Sequence, residues 1–245
     1  MDYKYIFLAS SSIRVEEILS QNNRTGDAMF WSELFDDNLH QSFYFSSLAL
    51  NSLTDENQII KRAYQIISIF EGIFKLCERR SQRYFNLDAL YDNKTKKLIA
   101  PRISEPEIYL IDFDISKLKN STNTKTFNPT YDLFSAIIEY KYLTNLFFLL
   151  SKKIDYRLLY MIYDDIKFFL HENNDMKFLK EFESELKIFT NTANNYEILG
   201  YFARHGRTKQ VPPRRTITLE KSMDLIFNII EKLLKDKFNL VLPRL

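Results

Sequence analysis

Four glycines, at positions 26, 72, 200 and 206, are all that this 245-residue chain contains. Glycine supplies, at no steric cost, the positive-φ conformations that tight β-hairpins and phosphate-cradling loops use. A chain this poor in glycine is expected to hold few tight hairpins and no glycine-rich nucleotide loop. Helices are expected to carry the fold.

The apolar pattern agrees with that expectation from Pro129 almost to the C-terminus. Tyr131, Phe134, Ile138, Tyr142, Leu146 and Leu149 form one broad helical stripe. Leu159, Ile162, Tyr163, Ile166 and Leu170 form the next, with Asp164, Asp165 and Lys167 opposite. Asp175–Thr190 and Asn195–His205 read as two further helices. Thr218 or Thr216 caps a last one, whose stripe is Leu219, Met223, Ile226, Ile230 and Leu233. Links of only a few residues favour antiparallel neighbours in a bundle.

Upstream, Tyr3–Ala9 reads as a short strand, and Ser12–Gln21 and Ala28–Leu53 read as helices. Thr54-Asp55-Glu56 starts a long helix that continues to about Arg80, because a hydroxyl cap is followed by acids that complement the helix dipole. Prolines 101, 106 and 129 then break the pattern. Ile108–Ile115 alternates two faces, so a β-hairpin or strand element is expected near residues 98–116. The expected fold class is mainly α: a C-terminal antiparallel helical bundle with one small β element. The expected domains are 1–128, a helical region with that element, and 129–245, the bundle, with both able to pack as one domain.

Hydrophobic residues make up 45% of the chain and charged residues 27%, which are globular values. Net charge is only +2, so affinity for nucleic acid must come from a local patch. Cys77 is the single cysteine, which excludes an internal disulfide and fits a reducing compartment. The apolar run Ile6–Ala9 is too short for a signal-peptide core, and Leu146–Leu150 is too short to span a bilayer. The chain therefore reads as cytoplasmic, without a membrane partner. Three scattered histidines and one cysteine make no zinc signature. Asp112 and Asp114 share one strand face, but polar-out alternation is their default role. No metal and no cofactor are expected.

One stretch stands out chemically. Between Glu197 and Glu220 the chain carries Arg204, Arg207, Lys209, Arg214 and Arg215 and no acid. Gly206 is expected to end the preceding helix, and Pro212-Pro213 stiffens the approach to the next. The free amides of that next helix start would help arginines hold a phosphate. His205 has the ordinary pKa of a general acid or base, and it equally suits a helix-end cap.

The segments IDYRLLYMIYDDI (Ile154–Ile166), FTNTAN (Phe189–Asn194), GYFARHG (Gly200–Gly206) and VPPRRTITLEKS (Val211–Ser222) occur in this order. The series resembles an uncharacterised bacterial helical family with a TAN…ARHG…PP motif, and its arrangement is similar to HEPN-type helical domains. The resemblance covers about the last 90 residues and leaves the N-terminal half uncovered. It implies metal-independent RNA cleavage in a defence or toxin system, often by a dimer. His205 would move the proton and Arg204 would stabilise charge on the phosphate. HEPN domains place arginine four to six residues before histidine. Here Arg204 and His205 are adjacent, and on a helix they would point about a quarter-turn apart. Asn194 and Asn195 stand as polar partners.

Two readings follow. In the first, the protein contacts RNA or a nucleotide phosphate through Arg204, His205, Arg207, Lys209, Arg214 and Arg215. In the second it is a non-catalytic protein-interaction or structural module in which the stretch is a corner. There Thr190, Thr192 and Asn194 bond the turn, and Arg204 ties helices together through Asp164 or Asp165.

Overall fold

The computed structural model describes residues 3–20, 28–35, 40–108, 128–207 and 211–244. It divides into two compact units. One comprises the chain up to Cys77 with Gln82–Ser151 and residues 243–245; the other comprises Glu78–Ser81 with Lys152–Leu242.

The first unit corrects the expected fold class. Its N-terminal half is built on a five-stranded antiparallel sheet: β1 (Tyr5–Ser10), β2 (Ala28–Phe35), β3 (His40–Ser47), β4 (Asn86–Asp92) and β5 (Leu98–Ala100). The spatial order is β2-β3-β1-β4-β5. Helix α1 (Ile13–Ser20) connects β1 to β2, and α2 (Glu56–Glu78) connects β3 to β4. Each connects two strands that flank a third, which is the split β-α-β connectivity of ferredoxin-like sheets.

The segment Ala28–Leu53, expected as a helix, is instead the β2–β3 hairpin followed by a 3-10 turn at Leu48–Leu50. The reason is its period. Phe30, Phe43 and Phe45 are buried on one face, while Met29, Trp31 and Tyr44 stand half-buried on the other. Alternation of that kind satisfies a strand, and aromatic residues suit a pleated surface. β1 follows the same rule, burying Tyr5, Phe7 and Ala9.

The β4–β5 hairpin turns without glycine. Lys96 takes the left-handed conformation (φ 56°), and the Asp92 carboxylate accepts from the Thr95 amide (2.7 Å) and hydroxyl (2.8 Å). An Asx-type bond thus does what glycine does elsewhere. Of the strand element expected near residues 98–116, Leu98–Ala100 is β5, paired with β4, while residues 109–116, including Asp112 and Asp114, lie outside the described residues.

Helix α2 was legible from its start signal and spacing, but it is more buried than an amphipathic helix. From Ile59 to Leu76 nearly every turn is covered, because α2 is the middle layer of its unit. Phe70 meets Phe30 of the sheet edge-on (5.1 Å between centroids) and stacks on Phe134 of α3 (Pro129–Ile137) at 4.5 Å. Gly72 faces α4 (Lys141–Ser151) so closely that a Cβ there would lie 2.4 Å from the Phe147 carbonyl oxygen. Two charges sit in this layer. Glu71 accepts from the Tyr84 and Phe85 amides and lies 3.5 Å from Lys75, which itself donates to the Ser151 carbonyl at 2.7 Å.

The second unit is helical: α5 (Tyr156–Glu172), α6 (Glu183–Ala193), α7 (Tyr196–Leu199) and α8 (Leu219–Phe238). Asp155 caps α5 through the Leu158 amide, and Thr218 caps α8 through Lys221. Two expected helices are shorter than their spacing implied. Met176–Phe182 is 3-10, so regular α-helix begins only at Glu183. Asn195–His205 breaks at Gly200 (φ 55°), and Gly206 ends no helix. No single described helix is long and apolar enough to cross a membrane; α3 and α4 pass that test only as a pair bent by 118°.

Candidate functional site

The described parts of the TAN…ARHG…PP stretch, up to Arg207 and from Val211 onward, form a corner held from α5. α6 ends at Ala193, whose carbonyl accepts from the Arg204 amide at 2.8 Å. Asn195 caps α7 by accepting from Ile198 (3.2 Å), and its Nδ2 donates to the Val211 carbonyl (3.4 Å). Thr192 donates to the Ile188 carbonyl (2.9 Å) and accepts from the Ile217 amide (3.3 Å). Both ends of the linker 211–217 are therefore fastened.

Two α5 residues that the sequence reading did not single out complete the corner. Arg157 donates through Nε to the Ala203 carbonyl (2.8 Å) and through Nη2 to the Tyr201 carbonyl, with its guanidinium 4.8 Å from the Tyr201 ring centre. Tyr156 donates to the Ile217 carbonyl at 2.7 Å. The signal for both lay in the IDYRLLY segment. An arginine and a tyrosine at the start of a capped helix can satisfy loop carbonyls that a Gly- and Pro-interrupted segment leaves unpaired.

Arg204 is the best-anchored of the expected site residues. Its Nη2 meets Asp164 Oδ2 at 2.9 Å, and its guanidinium lies 4.0 Å above the Tyr160 ring. Asp164, and not Asp165, is thus its acid. Asp165 keeps one buried carboxylate oxygen without a hydrogen-bond partner, and burial raises its pKa. Asn194 Oδ1 is likewise buried and unpartnered. Arg204 and His205 do not share a helix, since both follow the 3-10 turn in irregular backbone.

His205, Arg207, Arg214 and Arg215 are exposed. Arg207 lies 3.6 Å from Glu197. Among the described residues no carboxylate pairs with Arg214 or Arg215. Lys209 lies outside the described residues. The corner also exposes two neighbouring aromatics, Tyr201 (76%) and Phe202 (57%). A groove of about 470 Å³ in this unit runs beside Tyr163, Met176 and Thr190, and none of the residues expected to contact phosphate lines it. No cluster of three metal-ligating side chains occurs among the described residues.

Set against known proteins, the chain has no match among protein-family models, curated proteins or solved structures.

Proposed function

We propose that this protein binds RNA phosphates without cleaving them, through Arg207, Arg214 and Arg215, with Arg204 serving the architecture of the corner. The observation that carries this reading is the contrast between the arginines. All three are exposed, but Arg204 is paired with Asp164 and stacked on Tyr160, whereas no described carboxylate pairs with Arg214 or Arg215, which lie on a linker fastened at both ends. A fastened linker backbone leaves less of the chain to be ordered on meeting a phosphate, and arginine's planar fork suits two oxygens at once. The HEPN resemblance adds the setting to this proposal, a bacterial defence or toxin system.

The test pairs binding with stability. Arg214→Ala/Arg215→Ala should weaken binding of a labelled single-stranded RNA without changing Tm, and Arg204→Ala should lower Tm. Metal-free incubation with total RNA should leave it intact in wild type and His205→Ala alike. RNA that wild type degrades and His205→Ala spares would overturn the non-catalytic reading. The exposed Tyr201/Phe202 pair favours a second reading, a protein-docking corner that engages a partner or a second copy. Under it, Tyr201→Ser/Phe202→Ser would abolish association while RNA binding stays unchanged.

A further inference from the structure

Two aromatic rings project from the corner beside the arginines. Tyr201 is 76% and Phe202 57% exposed, and their rings meet edge to face, 5.6 Å between centroids at 74°. The backbone that bears them is fixed. Gly200 turns the chain at φ 55°, the Ala203 amide donates to the Gly200 carbonyl at 3.1 Å, and Arg157 donates to the Tyr201 and Ala203 carbonyls. A Cβ at Gly200 would meet nothing within 4 Å, so glycine serves the turn and not the packing. The Arg157 guanidinium steadies the Tyr201 ring, most of which stays open to water. Folding gains little from either ring, because their apolar area is not removed from solvent.

The charge around these rings is positive even with every acid counted as ionised. The corner, with the stretches of α5 and α8 that hold it, carries Arg157, Arg204, Arg207, Arg214, Arg215 and Lys221 against Asp155, Asp164, Glu197 and Glu220. Asp164 pairs with Arg204, and Glu197 lies 3.6 Å from Arg207. No described carboxylate pairs with Arg157, Arg214 or Arg215, and from Gly200 to Thr218 the chain has no acid. Tyr156 and Arg157 are neighbours on the first turn of α5, one bonded to the Ile217 carbonyl and the other to the Tyr201 carbonyl. The turn with the rings and the linker with the arginines are thus fastened to one helix start.

Flat rings held in water beside an excess of arginine suit a ligand with flat faces strung on an anionic chain. We infer that Tyr201 and Phe202 stack bases of a single-stranded RNA whose phosphates the arginines hold, which rests on the phosphate-binding reading above and adds strand selectivity to it. A duplex presents its phosphates and base edges, whereas a single strand can lay an unstacked base on a ring. The rings therefore add affinity for single strands and none for duplexes, without preference for one sequence, because every base has a π-face. The rings alone would suit a protein partner equally well; the acid-free arginine stretch beside them is what favours a polyanion.

Fluorescence anisotropy with three labelled probes tests this. They are a single-stranded RNA of about 12 nucleotides, a blunt duplex of the same length, and an abasic strand with the same phosphates. Wild type should bind the single strand more tightly than the abasic strand. Tyr201→Ala/Phe202→Ala should weaken the single strand about ten-fold or more, the loss expected for one stacked base. The same variant should leave duplex affinity, abasic affinity and the salt slope unchanged, since no cation is lost. Tyr201→Phe should keep wild-type affinity, and Tyr201→Leu/Phe202→Leu, apolar but not flat, should not. Phe202→Ala alone spares the Tyr201–Arg157 stack and should still lose part of the affinity. Arg214→Ala/Arg215→Ala should weaken all three probes and flatten the salt dependence. Circular dichroism and Tm confirm that each variant is folded.

Single-strand affinity unchanged in Tyr201→Ala/Phe202→Ala overturns the inference and leaves the arginine reading standing. An equal loss for strand and duplex, or equal wild-type affinity for the RNA and the abasic strand, does the same. Lost self-association or lost partner binding with RNA affinity intact assigns the rings to a protein and overturns it too. Wild type that binds no RNA, or an arginine variant that binds every probe as wild type does, removes the phosphate reading and this inference together.

Discussion

Tyr131 carries the bond that a single atom would remove most cleanly. Its hydroxyl donates to the Leu19 carbonyl (3.1 Å) and accepts from the Phe30 amide (2.9 Å), fully buried, and burial raises its pKa far above the ordinary phenol value. Tyr131→Phe should cost about 1–3 kcal/mol, the range for removing one partner of buried groups, with an unchanged m value in urea. Glu71 gives a pH-dependent counterpart. Burial raises its pKa above 4.5, against the pull of Lys75 and the Tyr84 and Phe85 amides. The native state therefore holds the proton more tightly than the unfolded chain. The resulting stabilisation is fully present below the unfolded pKa and is lost as pH rises through the folded one. Glu71→Gln should consequently gain on wild type as pH is raised from about 4 to about 7, measured by chemical unfolding at each pH. At the corner, Arg204 and Asp164 are both more than a third exposed, so a double-mutant cycle should return a coupling below about 1 kcal/mol. The stack on Tyr160 adds a comparable contribution, about 0.5–1 kcal/mol, to the cost of Arg204→Ala.

Among elements, α2 shows how packing outranks propensity. Alanine is intrinsically better than glycine in a helix by about 1 kcal/mol. At Gly72, however, a Cβ would meet the Phe147 backbone at 2.4 Å, and a backbone atom cannot rotate aside. Gly72→Ala should therefore destabilise by about 1–3 kcal/mol, seen as a lower Tm, because α2 and α4 must move apart. The presence of α2 was legible from Thr54-Asp55-Glu56 and from its spacing, and the N-caps Asp155 and Thr218 are equally local signals. The β2–β3 hairpin was not legible from glycine usage. Its signal was the alternation of Phe30, Phe43 and Phe45 with Trp31 and Tyr44, which a reading weighted by missing glycines passes over. The break at Gly200 escaped for the opposite reason, since glycine tolerates a helix and only the fastened loop around it demands φ 55°.

For the whole molecule, a net charge of +2 confines nucleic-acid affinity to local patches. If Arg207, Arg214 and Arg215 each displace one counterion, log K for single-stranded RNA should fall with log salt at a slope of about −2. A much steeper slope would mean that further cations share the same strand. Electrophoretic or fluorescence titration between low and physiological salt measures this directly.

The sequence by itself determined where α2 and α8 start, that much of the chain after Pro129 is helical, and that Arg204 to Arg215 form an acid-free basic stretch. These are local properties, written in neighbouring residues. Only the tertiary structure decided that the N-terminal half is a sheet and that Arg204 is committed to Asp164 and Tyr160. It also decided that Trp31, Tyr44 and Tyr91 share one face. The physical reason is the same in each case. Strand neighbours and ion-pair partners lie tens of residues apart along the chain, and register, not spacing, brings them together.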